Sequence, residues 1–327
     1  MNDALTDSAV QIPSTKDVFV VVPSHNHERF VEKSLRSIMK QTLLPAELLV
    51  IDDGSTDDST HVIEQTLRDC PFPCELISRP NRGLPATLNE AFKRSHGEYF
   101  AYLGSDDLWL PSFLETRTAS LECRPNAVLT YGNAFSIDET DRIIDCTIEW
   151  ATYVDGDARR MLMTTLAPLS PAVVYRRRAL EPYSWNESAT LEDYEMYLKL
   201  SRDGDFAFEP QVLSAWRVHG QNASFNISMM NREKVQAQAR VGPLLGFTPK
   251  QVRRFQSLTK FRTAQEYMRR SQRVKAIQLM IKNVHAVPSS HEAIKMMLGL
   301  AAPRALLQRH RSERQDRARR KYGSLVL

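Results

Sequence analysis

The sequence predicts an α/β fold, a mostly parallel sheet flanked by helices and followed by a basic helical C-terminal region. Short β-branched apolar runs alternate with stretches of helical spacing from residue 18 to 131, the rhythm of strand–helix–strand units. The turns after the apolar runs are rich in Asp, Ser, Asn and Gly, and the last part of the chain is helical in pattern and strongly basic.

The elements follow in order. Val18-Phe-Val-Val-Val22 reads as a buried strand that ends at Pro23-Ser24. Phe30, Val31, Leu35, Ile38 and Met39 give residues 28–41 one apolar helical face, with a stop before Pro45. Residues 47–52 form a second strand, 53–57 a turn and 59–68 a second helix. The beat repeats as strand 74–78, helix 85–95, strand 99–103, helix 111–123 and strand 127–131. It becomes irregular between Ala134 and Pro168. Short strands return from Ala172, with a helix over 191–202 and a strand over 212–219. We read three units: a flexible N-terminus over 1–17, a domain over 18–228, and the basic helical region over 229–327.

Composition narrows the class. The 327 residues are 25% charged and 42% apolar, with 17 Pro, 12 Gly and 4 Cys, which excludes collagen, a disulfide scaffold and wholesale disorder. No run approaches the ~18 apolar residues of a membrane-spanning helix. The longest candidate, from Met296 to Leu307, is broken by Pro303 and Arg304. The start of the chain is polar and acidic where a signal peptide is basic and then apolar, so a cytoplasmic location is expected. The four cysteines lack metal-ligand spacing.

Charge divides the chain. Residues 232–327 hold 22 Lys and Arg against 5 Asp and Glu, a net +17, while the first 231 residues carry −13. An acidic part suits a metal-dependent site, and a basic tail seeks phosphate on lipid headgroups or nucleic acid.

In an open α/β sheet, ligands bind in the crevice beyond the carboxyl ends of the strands. That rule nominates residues 23–26, 52–57 and 104–107. Asp106 and Asp107 are adjacent carboxylates after an apolar strand, which repel each other unless a cation or donors compensate them, though an exposed helix-capping turn also fits. The turn at Asp52-Asp53-Gly54 suits a nucleobase or ribose contact, or a simple strand-to-helix turn. Thr190-Leu-Glu-Asp193 matches a capping box. The competing reading makes Asp193 a base kept ionised in the first turn of a helix. Arg217 and His219 alternate along one strand, so both project from one face, where they can meet diphosphate and metal.

Taken together, these segments resemble the family 2 glycosyltransferases, which have the GT-A fold. The resemblance runs from about Val18 to Ser224 and rests on eight pieces in family order. They are Val20-Val-Val-Pro-Ser-His-Asn26, residues 34–42, Leu49-Val-Ile-Asp-Asp-Gly-Ser-Thr-Asp57, Asn81-Arg-Gly83 with Asn89, residues 97–103, Ser105-Asp-Asp107, Glu192-Asp193 and Trp216-Arg-Val-His219.

The resemblance implies inverting transfer of a sugar from a nucleotide-sugar donor to an acceptor hydroxyl, with divalent Mg²⁺ or Mn²⁺ on the diphosphate. Carried over position by position, it implies that Pro23, Asn26, Asp52 and Asp53 contact uracil and ribose, and that Arg82 and Gly83 line the nucleotide pocket. Asp106 is then expected at ribose or metal, Asp107 at the metal, His219 at metal or diphosphate, Arg217 at the diphosphate, and Asp193 as the base. Gly104 stands where many members have Asp. The acceptor is expected to be a glycan or a lipid-linked sugar of bacterial surface polysaccharide or lipopolysaccharide. The basic tail is then expected at an anionic membrane surface on the inner face of the cell membrane, ahead of nucleic acid. A non-catalytic binding protein of the same fold has no need of Asp107, Asp193 and His219 together. A dinucleotide-dependent oxidoreductase is excluded because residues 23–28 hold no glycine.

Overall fold

The computed structural model describes residues 17–220, 222, 225–270, 272–287, 289–302 and 304–325. All of the expected flexible N-terminus except Asp17 lies outside them. In chain order the elements are β1 (Val18–Ser24), α1 (Val31–Met39), β2 (Glu47–Asp52), α2 (Ser59–Leu67), β3 (Cys74–Ser78), α3 (Leu84–Arg94) and β4 (Tyr99–Tyr102). There follow β5 (Leu108–Trp109), α4 (Phe113–Glu122), β6 (Ala127–Ile137), β7 (Ile143–Cys146), α5 (Arg159–Met163), β8 (Val174–Arg176), α6 (Arg177–Leu180), α7 (Glu192–Leu200) and β9 (Asp205–Arg217). The C-terminal helices are α8 (Ile227–Val241), α9 (Pro249–Arg269), α10 (Arg273–Asn283), α11 (Ser290–Ala301) and α12 (Arg304–Tyr322).

One sheet runs β3-β2-β1-β4-β8-β6-β9-β5, with β7 on β6. The β3-β2-β1-β4 half is parallel, as the alternation of strands and helices requires. Beyond β4 the sheet is mixed: β8 runs antiparallel to both its neighbours, and β6 pairs β9 in parallel. The irregular stretch after Ala134 is partly strand, because β6 continues to Ile137 and turns back as β7.

Alternation along β1 divides the core in two. Val18, Val20 and Val22 pack with Val31, Leu35 and Ile38 of α1 and Phe113 and Leu114 of α4. Phe19 and Val21 face the opposite side, with Leu88 of α3 and Tyr194 and Tyr197 of α7. Ala237, Val241, Leu245 and Val252 complete this second core, so the first C-terminal helices close the sheet as α3 does. The boundary read near Ser228 falls inside α8.

The chain end returns to the sheet. Ser324 bridges Arg142, Tyr322 stacks edge-on against Phe135 at 5.3 Å, and Leu325 packs on Leu108, Ile137, Ile143 and Ala215. Arg314 pairs with Asp145 at 2.8 Å and Lys321 with Glu149 at 2.7 Å. Part of the tail's positive charge thus meets the chain's own acidic half.

Candidate active site at the carboxyl edge of the sheet

The two loops that follow β1 and β2 lock each other. Asn26 adopts the left-handed conformation at φ 55°, and its Oδ1 accepts the Thr56 N–H at 2.7 Å while its own N–H meets Ser55 Oγ at 2.9 Å. Asp52, 1% exposed, accepts from the Ser55 hydroxyl and from Thr60 Oγ1 at 2.8 Å. Asp53 pairs with Arg79 and takes the N–H groups of Arg82 and Gly83 at 2.8 Å each. Gly54 sits at φ 78°, where a Cβ would come within 2.7 Å of Asn81 N, so only glycine lets these loops approach. The acids expected at the nucleoside therefore also shape the loop that carries Arg82 and Gly83. The Arg82 side chain is 55% exposed, and Pro23 is half-buried at the end of β1.

Beyond β4 the chain turns through Gly104 into Asp106 and Asp107. His219, at the end of β9, places Nε2 2.8 Å from Asp106 Oδ2, and His27 Nδ1 lies 4.0 Å from Asp106 Oδ1. One ligand atom from each of His27, Asp106 and His219 lies within 4.8 Å of the others. Burial holds His27 below its usual value, so its imidazole is neutral at pH 7. Burial pushes Asp106 up, but the His219 hydrogen bond and the nearby His27 outweigh it and leave the carboxyl below the ordinary range.

Two expected site residues also have partners within the fold. Asp107, expected as the metal ligand, accepts the Arg217 backbone N–H on Oδ1 at 2.8 Å, and the three donors that lie together are His27, Asp106 and His219. Burial and the neighbouring Asp106 push Asp107 well above the usual carboxylate range. Arg217, expected at the diphosphate, has a side chain that is 0% exposed. Its Nε reaches the Asp106 carbonyl at 2.7 Å, its Nη1 the Asp138 carbonyl at 2.8 Å, and its Nη2 Asp141 Oδ1 at 2.7 Å. Enclosed this way, with no exposed surface, the Arg217 side chain braces the acidic loop from within the protein. Gly104 also has a reason: a Cβ there would stand 2.8 Å from Asp106 Oδ1 and 3.1 Å from Asp107 Oδ2.

Glu192 and Asp193 open α7 beside this loop, because the Tyr102 hydroxyl at the end of β4 reaches Glu192 Oε1 at 3.3 Å. Tyr102, Tyr175 and Tyr197 stack in sequence at 6.3 and 6.4 Å. Burial and Asp193 push Glu192 up to about 8, and burial pushes Asp193 up to about 6. Two adjacent carboxyls raised in this way titrate as a pair near neutral pH. The capping-box reading fails: the helix begins at Glu192 with Leu191 as N-cap and no side-chain cap. Glu233 of α8 supplies the acceptor instead, taking Thr190 N–H at 2.9 Å and Leu191 N–H at 2.6 Å.

Sequence reasoning passed over His27 and Glu233. His27 could have been found, since it shares the nominated β1 crevice loop with Asn26. Glu233 carries no local signal, because only the packing of α8 on α7 brings it to the site.

Comparison with known proteins bears on the family and the fold. The family model described as glycosyl transferase family 2 matches residues 19–183, half of the chain. An uncharacterized glycosyltransferase of Nostoc sp. is 26% identical over 235 residues, covering 69% of this chain and 71% of that one. The chondroitin synthase of Escherichia coli is 26% identical over 214 residues, 63% of this chain but 30% of the synthase. Among solved structures, S. aureus TarS 1-349 in complex with UDP superposes with a TM-score of 0.59 at 16% identity, covering 95% of this chain and 94% of that one. The mannosyltransferase PcManGT from Pyrobaculum calidifontis, in complex with GDP-Man and Mn²⁺, gives 0.56 at 16% identity, with 90% and 89% covered. These likenesses show the fold to be GT-A.

Proposed function

We propose, from the premise that this chain belongs to glycosyl transferase family 2, that it transfers a sugar from a nucleotide-sugar donor with inversion, using Asp193 as the base. The observation that carries the reading is a pair of adjacent carboxyls, Glu192 and Asp193, in the first turn of α7, reached by the Tyr102 hydroxyl at the end of β4, the strand that leads into the Asp106 loop. A single displacement needs an ionised acid facing the acceptor hydroxyl, and we assign that part to Asp193, which burial raises to about 6.

His27, Asp106 and His219 would hold the divalent cation. Ligand atoms around such an ion lie roughly 3 to 4 Å apart, which suits a cluster drawn within 4.8 Å. Two nitrogen donors favour Mn²⁺ over Mg²⁺. Such an ion, when bound, neutralises charge on the leaving diphosphate. Arg217 holds the loop that presents Asp106, and Asp107 anchors it to β9. Pro23, Asn26, Asp52, Asp53, Arg82 and Gly83 shape and line the nucleoside end. The complexes of TarS with UDP and UDP-GlcNAc and of PcManGT with GDP-Man support this class of donor.

The acceptor we infer is a growing glycan or lipid-linked sugar of a surface polysaccharide, supported by chondroitin and hyaluronan synthases among the relatives. No helix among the described residues is long and apolar enough to cross a membrane. Helix α10 presents Val274, Ile277 and Ile281 outward at 70, 41 and 66% exposure, with exposed Lys275 and Lys282 beside them. We assign this stripe to an anionic bilayer surface, because a net charge of +17 opposes a second copy of the same region. Sedimentation with anionic but not zwitterionic vesicles, lost in I277D/I281D, supports the assignment. Equal sedimentation of that variant removes it.

The main test is a panel of UDP- and GDP-sugars with and without Mn²⁺, followed by mass analysis of the product. The expected result is one donor consumed, with Asp193→Asn binding it normally and transferring about 1000-fold more slowly. Normal transfer by that variant ends the proposal.

A further inference from the structure

We propose that Glu233 is the positioning residue of the base, fixing Asp193 from a neighbouring helix by accepting the two N–H groups ahead of α7. The inference rests on Asp193 acting as the base. An α-helix leaves its first N–H groups without intrahelical partners, and α7 has no side-chain cap of its own. The chain enters α7 as Thr190-Leu191, and both N–H groups converge on a single oxygen, Glu233 Oε2, at 2.9 and 2.6 Å. The Glu233 side chain is 8% exposed, and its one close cation, Arg232, stands off at 3.9 Å. These two backbone donors are therefore its main partners, and they fix the segment two residues before Asp193.

A local Ser or Asp cap would have satisfied the helix alone. An acceptor borrowed from α8 does more, because it ties the path of residues 190–193 to the packing of the C-terminal helices. The next residue on α8, Lys234, adds positive charge toward Asp193. The Glu233 charge is the smallest of the influences that raise Glu192, so the anchor is its main contribution.

Geometry and charge are separable by variant. Glu233→Asp keeps the charge but withdraws the oxygen by about 1.5 Å, one carbon–carbon bond. Glu233→Gln discards the charge but keeps an acceptor at full length. Glu233→Ala removes both. Amide hydrogen exchange of residues 190 and 191 reads the anchor directly and needs no substrate. In the Asp and Ala variants exchange at these two amides should quicken about tenfold or more. Turnover of the donor that the nucleotide-sugar panel selects should fall about 100-fold, the usual cost of a base displaced by an ångström. Donor affinity by calorimetry should not move, and Glu233→Gln should stay within about threefold of the parent in both readouts, since it retains the acceptor. Slow exchange in Glu233→Asp and Glu233→Ala, or fast exchange with unaltered turnover, overturns the proposal. If Glu233→Ala does not fold, the Asp and Gln variants decide it alone. The Asp193→Asn control stands apart: normal transfer in that variant defeats the base assignment whatever the amides of 190 and 191 report.

Discussion

The carboxylates at the β1 and β2 loops and those at β4 and α7 are the same chemical group in opposite conditions. Asp52 and Asp53 are each met by several donors, including hydroxyls, backbone N–H groups and the Arg79 guanidinium. Asp107 is buried and Glu192 and Asp193 are half-buried, all with fewer donors, and each is pushed above the ordinary carboxylate range. The difference teaches that well-satisfied acids hold shape while poorly compensated acids hold protons. A sequence of acidic strand ends looks uniform, yet only the second group is raised by its surroundings.

That contrast can be broken at its strongest point first. Asp193→Asn should cost about 1000-fold in transfer with little change in folding, whereas Asp53→Ala should destabilise the fold by about 1–3 kcal/mol because it leaves the Arg82 and Gly83 N–H groups without their acceptor, Arg79 keeping its pair with Glu90. Denaturant unfolding beside a rate assay separates the two, and a stable Asp53→Ala would dissolve the distinction. Next comes Asp106→Asn, expected to weaken Mn²⁺ about 100-fold, read by paramagnetic resonance titration.

The pH dependence is smaller in range but sharper in logic. Asp193, raised to about 6, must be ionised to accept a proton, so the rate climbs with pH below 6 and is level above it. A rate that stays level down through about pH 5 would end the reading that burial raises Asp193. Least of all, Asn26→Ala should cost about 1–2 kcal/mol, through the lost Thr56 bond and the strained φ. An unchanged melting point there would show that the loops do not depend on each other.

Much of this was legible before any coordinates. Strand 74–78 stands where β-branched and turn residues put it, and β1 and β2 run parallel because the intervening helix carries the chain back. The rule that ligands gather at the carboxyl ends of strands found the Gly104–Asp107 loop. It failed for Arg217, since alternation along a strand says which side a residue points to but not whether solvent reaches it. The capping-box pattern misjudged Thr190, where the local signal lost to an acceptor from a different helix.

The sequence by itself determined the alternation of strands and helices, the crevice loops and the division of charge, because each depends on neighbours a few residues apart. Tertiary structure alone decided that His27 and Asp106 join His219, that Arg217 is enclosed, and that Glu233 caps α7. Those outcomes depend on burial and on side chains brought together from distant segments, and the energy of a charged group is set by what surrounds it in space.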